Sequence, residues 1–307
     1  MANKLIVAPA PHVQTAQSTT RIMRDVVIAL MPALVVSTVV FGLDVLRVTA
    51  LSVVSCVVIE YLIQKFMVRG ATTVGNWSAV VTGVLLAFNL PASIPWWIVV
   101  MGAFVAIAVA KMTFGGLGKN FANPAIVGRV VLFLAFSGSM TNWVFPDAVS
   151  TATPLALISK GALDQLPSLW HAFLGWEGGC LGETCSLALI AGGIYLIVRK
   201  VITWHIPVAF VGTVFVLTAL LGQQPVYQVL SGGLLLGAIF MATDYVTSPP
   251  TPWGKVIFGI GCGLITVLIR VWGSYPEGVS FAILFMNILN PYITSWTRNK
   301  PIGGVNP

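Results

Sequence analysis

Apolar runs long enough to cross a bilayer recur along the chain, and none of them alternates with period two; Ile206 to Leu221 is representative. About 20 residues of helix cover the roughly 30 Å of hydrocarbon in a membrane. Lipid offers no water to an unpaired backbone group, so only helices or a closed barrel can span it, and the missing alternation selects helices. The pattern predicts an all-α polytopic membrane protein with ten crossings, at 24–43, 46–66, 74–90, 95–112, 123–137, 186–203, 206–222, 226–243, 254–272 and 277–294. These group into a first five-helix block, 24–137, and a second, 186–296. A segment 1–23 precedes them, a tail 297–307 follows, and the longest non-membrane stretch, 138–185, separates them.

Two short similarities relate the blocks. "GKNFANP" (Gly118–Pro124) heads the fifth crossing and "GVSFAIL" (Gly278–Leu284) the tenth, with Gly, Phe and Ala in register; "TGVLLAF" from Thr82 and "SGGLLLG" from Ser231 pair the third with the eighth. An odd number of helices per block gives the two blocks opposite topology. Such inverted repeats belong to proteins that move something across a membrane, with the site near mid-depth. Asn123-Pro124 and Asn290-Pro291 are expected to break the fifth helix of each block, because proline removes a bond that lipid cannot replace, and freed carbonyls there suit a cation. Chance matching of small apolar residues is the competing reading.

Composition narrows the class. With 57% hydrophobic and 8% charged residues, the chain is far from a soluble domain, where about 25% are charged. The net charge of +7 does not point to nucleic acid, because the basic residues are scattered rather than patched. They set an orientation instead. A cytoplasmic N-terminus puts Lys4, Arg21, Arg24, Lys65, Arg69, Lys111, Lys119, Arg129, Arg199, Lys200, Lys255, Arg298 and Lys300 in cytoplasmic segments or their adjacent helix ends and only Arg47, Lys160 and Arg270 outside. Both termini are therefore expected in the cytoplasm and 138–185 outside. Cys56 and Cys262 lie in apolar runs as small buried residues, while Cys180 and Cys185 share one loop, where a disulfide is open. Residues 1–20 lack the charged-then-apolar order of a cleaved signal.

One polar knot stands out, "DAVSTATPLAL" (Asp147–Leu157), with Ser150, Thr151 and Thr153 followed by Pro154. Taken alone it reads as a Ser/Thr-rich turn capping a short helix at Pro154–Ile158. Together with "ATDYVTSP" (Ala242–Pro249) and "YPEGVSFAILFMN" (Tyr275–Asn287) it resembles the membrane flavoprotein subunits of two related redox pumps. These are the D subunit of the Rnf complex and the B subunit of the sodium-translocating NADH:quinone reductase. The family pattern of Asp, two residues, Ser or Thr, a small residue, Ala and Thr falls on Asp147, Ser150, Thr151, Ala152 and Thr153. The departure is Thr151, where Gly is usual in the reductase branch. The resemblance implies FMN attached to Thr153 through a phosphoester, and the short lead before the first crossing fits the Rnf branch better.

Further roles follow from that resemblance and from position. Thr153 would stand in an aqueous loop, where a flavin transferase can reach it, since a phosphate in hydrocarbon is prohibitively costly. Arg270 and the amides at Gly278, near Tyr275 and Glu277, are candidates to meet the flavin phosphate or ring edge. Asp244, Thr247 and Ser248, on the other side, are candidates for a second, noncovalent flavin such as riboflavin. Glu60, deep in the second crossing, is a candidate for the ion path with Asn123 and Asn290, because an ionisable group at that depth is functional by default; Asp25 reads as a capping charge. The implied activity is electron transfer coupled to Na+ or H+ transport in a bacterial or archaeal cytoplasmic membrane. The chain shows no nicotinamide fingerprint or iron–sulfur spacing, so its partners would be membrane iron–sulfur subunits, a second covalent-flavin subunit, and ferredoxin- and NAD-reacting subunits. The alternatives are the reductase B subunit or a non-redox channel or transporter for a small polar solute.

Overall fold

The Ser18 hydroxyl accepts from the Arg21 amide and so starts helix α1 (Thr19–Phe41) ahead of its apolar run. The computed structural model describes residues 18–69, 72–142, 153–162, 164, 166–175, 178–183, 185–273 and 278–298, and among these it contains helices and no strand. In the first block α2 (Asp44–Leu62) runs into a π-helical turn (Ile63–Val68), followed by α3 (Ser78–Phe88). Next come α4 (Trp96–Phe104) with a π-helical extension (Val105–Met112), then α5 (Pro124–Ala135) and the short α6 (Ser137–Met140). Between the blocks lie α7 (Pro154–Ser159) and α8 (Leu169–Leu174). The second block has α9 (Ser186–Val198), α10 (His205–Leu220), α11 (Pro225–Leu230), and α12 (Leu234–Leu236) with a π-helical extension (Gly237–Met241). It ends with α13 (Pro252–Trp272) and α14 (Val279–Thr297). Among the described residues three stretches, Thr19–Phe41, Asp44–Val68 and Pro252–Trp272, are long and apolar enough to cross a membrane, and several shorter apolar helices accompany them.

The discontinuities lie elsewhere than the prolines suggested. Pro124 does not break a helix; it occupies the first turn of α5, where a missing N–H costs nothing, and the Asn123 side chain caps that turn from the Ala125 amide at 3.0 Å. Pro291 sits within α14, which continues to Thr297. The breaks fall in the third element of each block instead. The 74–90 run yields an eleven-residue α3, about 16 Å long and roughly half of what a continuous helical crossing needs, so any crossing here is completed by non-helical chain. The 226–243 run is split at Ser231, Gly232 and Gly233, where both glycines take positive φ (74° and 66°). The Phe-Ala similarity is not kept in three dimensions, because Phe121 precedes α5 whereas Phe281 lies inside α14.

Packing is matched between the blocks. α2 packs on α3 and α4, α10 packs on α11 and α13, the first helices α1 and α9 cross each other, and the fifth helices α5 and α14 meet. The α1–α9 crossing is close because Gly192 lies against the Ala29 carbonyl; a Cβ there would come within 2.3 Å of that oxygen. Small residues at such crossings let backbones approach in lipid. Asp25 ties the same pair together by binding Arg199 at 3.1 Å, which makes it an interhelical partner rather than a capping charge. Gly192→Ala is expected to cost about 1–3 kcal/mol by overpacking and to lower the melting temperature of the purified protein. Gly212→Ala, where nothing lies within 4 Å, should leave it unchanged.

Candidate functional site

A partly open cavity of about 90 Å³ lies between residues of the two blocks, room for several waters. Its polar lining comes from both: Ser78 and Thr82 on α3, Lys111 at the end of the α4 extension, Asn120 and Asn123 ahead of α5, and Asp244 just past the α12 extension. Asp244, Thr247 and Ser248 form one turn, in which Thr247 Oγ1 donates to Asp244 Oδ2 at 3.1 Å and Ser248 Oγ to the Asp244 carbonyl at 2.7 Å. Enclosure by protein pushes the Asp244 carboxyl above its ordinary range, and hydrogen bonds from Thr247, two backbone amides and Asn120 oppose that rise. Asn123 joins the blocks through its side-chain amide, which donates to the Met241 carbonyl at 3.2 Å. Asn287, with its amide turned to satisfy both neighbours, donates to the Thr247 carbonyl and accepts from the Asn123 amide, each at 3.2 Å. Asn290 does not line the cavity; it accepts from Thr294 within α14.

Glu60 lies beside this cavity and is paired within the chain. Its Oε2 accepts from Lys111 Nζ at 2.6 Å, and Lys111 also donates to Ser78 Oγ at 2.7 Å. Gln64 supports the other carboxylate oxygen at 3.2 Å and is itself held by Thr73. Lys111 and Glu60 are 2% and 1% exposed, so the pair is sealed from bulk solvent.

A second buried pair closes the middle of the molecule. Arg129, halfway along α5, lies 3.5 Å from Glu183 and donates to the Asn89 side-chain oxygen at the end of α3. Glu183 belongs to a stretch that turns inward: the Leu181 and Gly182 amides donate to the Leu90 and Phe88 carbonyls at 3.1 and 2.8 Å, and Ser37 on α1 donates to the Leu181 carbonyl. These bonds satisfy carbonyls that the truncated α3 leaves without a helical partner. Part of 138–185 is therefore built into the bundle, and Lys111 and Arg129, counted above with the cytoplasmic segments and their adjacent helix ends, are buried internal partners. All four cysteines are buried thiols.

Toward the opposite end, Thr153 caps α7, its hydroxyl accepting from the Ala156 amide at 3.3 Å, and at 9% exposed it is buried by its packing rather than standing open in an aqueous loop as expected. Two residues on, Leu155 packs against Gly232, and Arg270 reaches the same glycine; a Cβ on Gly232 would lie 2.1 Å from Leu155 Cδ1 and 2.8 Å from Arg270 Nη2. Arg270 donates to the Gln228, Ser231 and Gly232 carbonyls and to Gln228 Oε1. It is 7% exposed and holds the break between α11 and α12. Gly278 starts α14 and packs against Ile269, one residue before Arg270. Asp147, Ser150, Thr151, Ala152, Tyr275 and Glu277 lie outside the described residues.

The sequence profile of the NQR2, RnfD, RnfE family matches residues 6–303. The chain belongs to this family. Its relatives include the D subunit of the Na(+)-translocating ferredoxin:NAD(+) oxidoreductase complex of Acetobacterium woodii, 48% identical over 97% of this chain and 95% of the relative. The D subunit of the proton-translocating ferredoxin:NAD(+) oxidoreductase complex of Clostridium ljungdahlii is 40% identical over 98% and 97%. The D subunit of the ion-translocating oxidoreductase complex of Stutzerimonas stutzeri is 37% identical over 93% and 92%.

For this member of the NQR2, RnfD, RnfE family, the residues that reading the sequence overlooked are Lys111, Arg129, Glu183, Asn89 and Asn287. Charge alone marked the first three, since ionisable residues are scarce here, but not their partners.

Proposed function

We propose that the chain is the membrane flavoprotein subunit of an Rnf-type ion-translocating ferredoxin:NAD oxidoreductase, carrying FMN on Thr153 and coupling electron transfer to movement of Na+ or protons. The observation that carries this reading is similarity over nearly the whole length to D subunits named for that activity. Ten crossings in two inverted five-helix halves, with both termini in the cytoplasm, put the Asp244 cavity on the cytoplasmic side and Thr153 on the outer side.

The residues around Thr153 fit an esterified flavin. Its hydroxyl accepts one long bond, so esterification takes little from the fold, and a guanidinium stands at the glycine against which the attachment segment packs. FMN supplies one-electron chemistry when bound. The protein's part is to hold its attachment point against the α11–α12 break and to keep charges paired in the path between the two ends. The Asp244 turn with Asn120 and Asn123 supplies donors and acceptors, but its cavity of about 90 Å³ is far below the roughly 300 Å³ that a ligand the size of riboflavin fills, so a second, noncovalent flavin would meet these residues by its edge alone. Membrane iron–sulfur subunits, a second covalent-flavin subunit, and ferredoxin- and NAD-reacting subunits complete the chain of carriers.

Denaturing gel electrophoresis under ultraviolet light tests the assignment. With the flavin transferase co-expressed, the band of this chain is expected to fluoresce. A dark band beside a fluorescent control flavoprotein from the same cells would overturn it.

A further inference from the structure

Lys111 occupies a pocket built of oxygens. Its ammonium lies 2.6 Å from Glu60 Oε2 and 2.7 Å from Ser78 Oγ, and Gln64 fixes the carboxylate from behind. Carboxylate and hydroxyl oxygens are the ligands a hard metal cation takes. Two independent features separate this pair from a static structural ion pair. Lys111 also lines the cavity shared by the two blocks, so its side chain has a space to move into. In addition, both Lys111 and Gln64 sit in π-helical turns, which are rare and concentrate at functional sites.

We propose that Glu60 and Ser78 form a binding pocket for a monovalent metal cation, Na+ in particular, which the Lys111 ammonium fills as a tethered occupant and vacates into the cavity when the cation enters. Cavity waters complete the coordination. Asp244, on the same cavity, receives the displaced ammonium, whose approach favours the ionised carboxylate. Lys111 is then a built-in competitor: it keeps Glu60 paired while the pocket holds no metal, and it sets how much Na+ is needed to displace it. This rests on the ion-translocating reading above and adds the site and its resident occupant.

The test uses the purified complex containing the full chain. Dicyclohexylcarbodiimide labels protonated buried carboxyls, and mass spectrometry reads its addition at Glu60. In Lys111→Met, Glu60 is expected to become labelled, NaCl to protect it, and choline chloride at equal ionic strength to give no protection. Labelling indifferent to NaCl would overturn the proposal. Ser78→Ala, which leaves the ion pair in place, covers the case in which Lys111→Met fails to assemble. In vesicles driven by reduced ferredoxin and NAD, it is expected to raise the half-saturating Na+ for transport about tenfold with little change in maximal rate, as loss of one ligand would; an unchanged Na+ requirement would overturn the proposal. Failure of the underlying function looks different, because wild-type vesicles would then move no ion at all.

Discussion

Thr153→Asn is expected to abolish the fluorescence of the denatured band completely while leaving the protein folded. Asparagine caps a helix at least as well as threonine, so α7 keeps its hydrogen bond to the Ala156 amide, but an amide offers no hydroxyl to esterify. Thr153→Ala removes both and should cost about 1 kcal/mol through the lost cap. Thr153→Ser keeps both and should retain fluorescence. Quantified in-gel fluorescence against protein stain, with the melting temperature measured in parallel, separates attachment from capping. A fluorescent Thr153→Asn band would move the attachment to another hydroxyl of the motif, Ser150 or Thr151, and refute the assignment of Thr153.

The long helices were legible because hydropathy reports them directly: α1, α2 with its π-turn, and α13 lie on predicted crossings. The broken third elements were not, because their residues are as apolar as any span and the interruptions, at Asn89 and at Ser231, are buried in protein rather than exposed to water. Ser231-Gly232-Gly233 carried the signal, two adjacent glycines that take positive φ, but apolar flanks masked it. The short helix after Thr153 was legible from its Thr-Pro start.

The site was legible only in part. Glu60 was marked by the rarity of carboxylates in apolar runs, yet its partner lies 51 residues away and could not be read from spacing. Asp244, Thr247 and Ser248 do form one turn, as their proximity in sequence allows. Arg129 was counted with the cytoplasmic segments and their adjacent helix ends, but it lies halfway along α5 with a buried partner from a distant loop, which a count of positive charges cannot see.

Arg129→Met is expected to destabilise the protein by about 3–5 kcal/mol, the usual result of leaving one member of a buried pair without its counter-charge. Glu183 is the member left behind; it faces the Gly233 backbone and lies on the stretch that covers the α3 end. Undocking that stretch would free the Phe88 and Leu90 carbonyls as well, so the loss should spread beyond the mutated residue. Glu183→Leu strands the guanidinium and should cost a comparable amount. The double variant Arg129→Met with Glu183→Leu should recover most of the stability, because apolar replacement of an entire buried pair is often neutral or better. Melting temperatures of the two single variants and the double, taken as a thermodynamic cycle, measure this coupling. If the double variant were as unstable as the sum of the singles, Arg129 and Glu183 would act independently, and the inward-turned stretch would be held by its main-chain bonds to Phe88 and Leu90 and by Ser37 rather than by the ion pair.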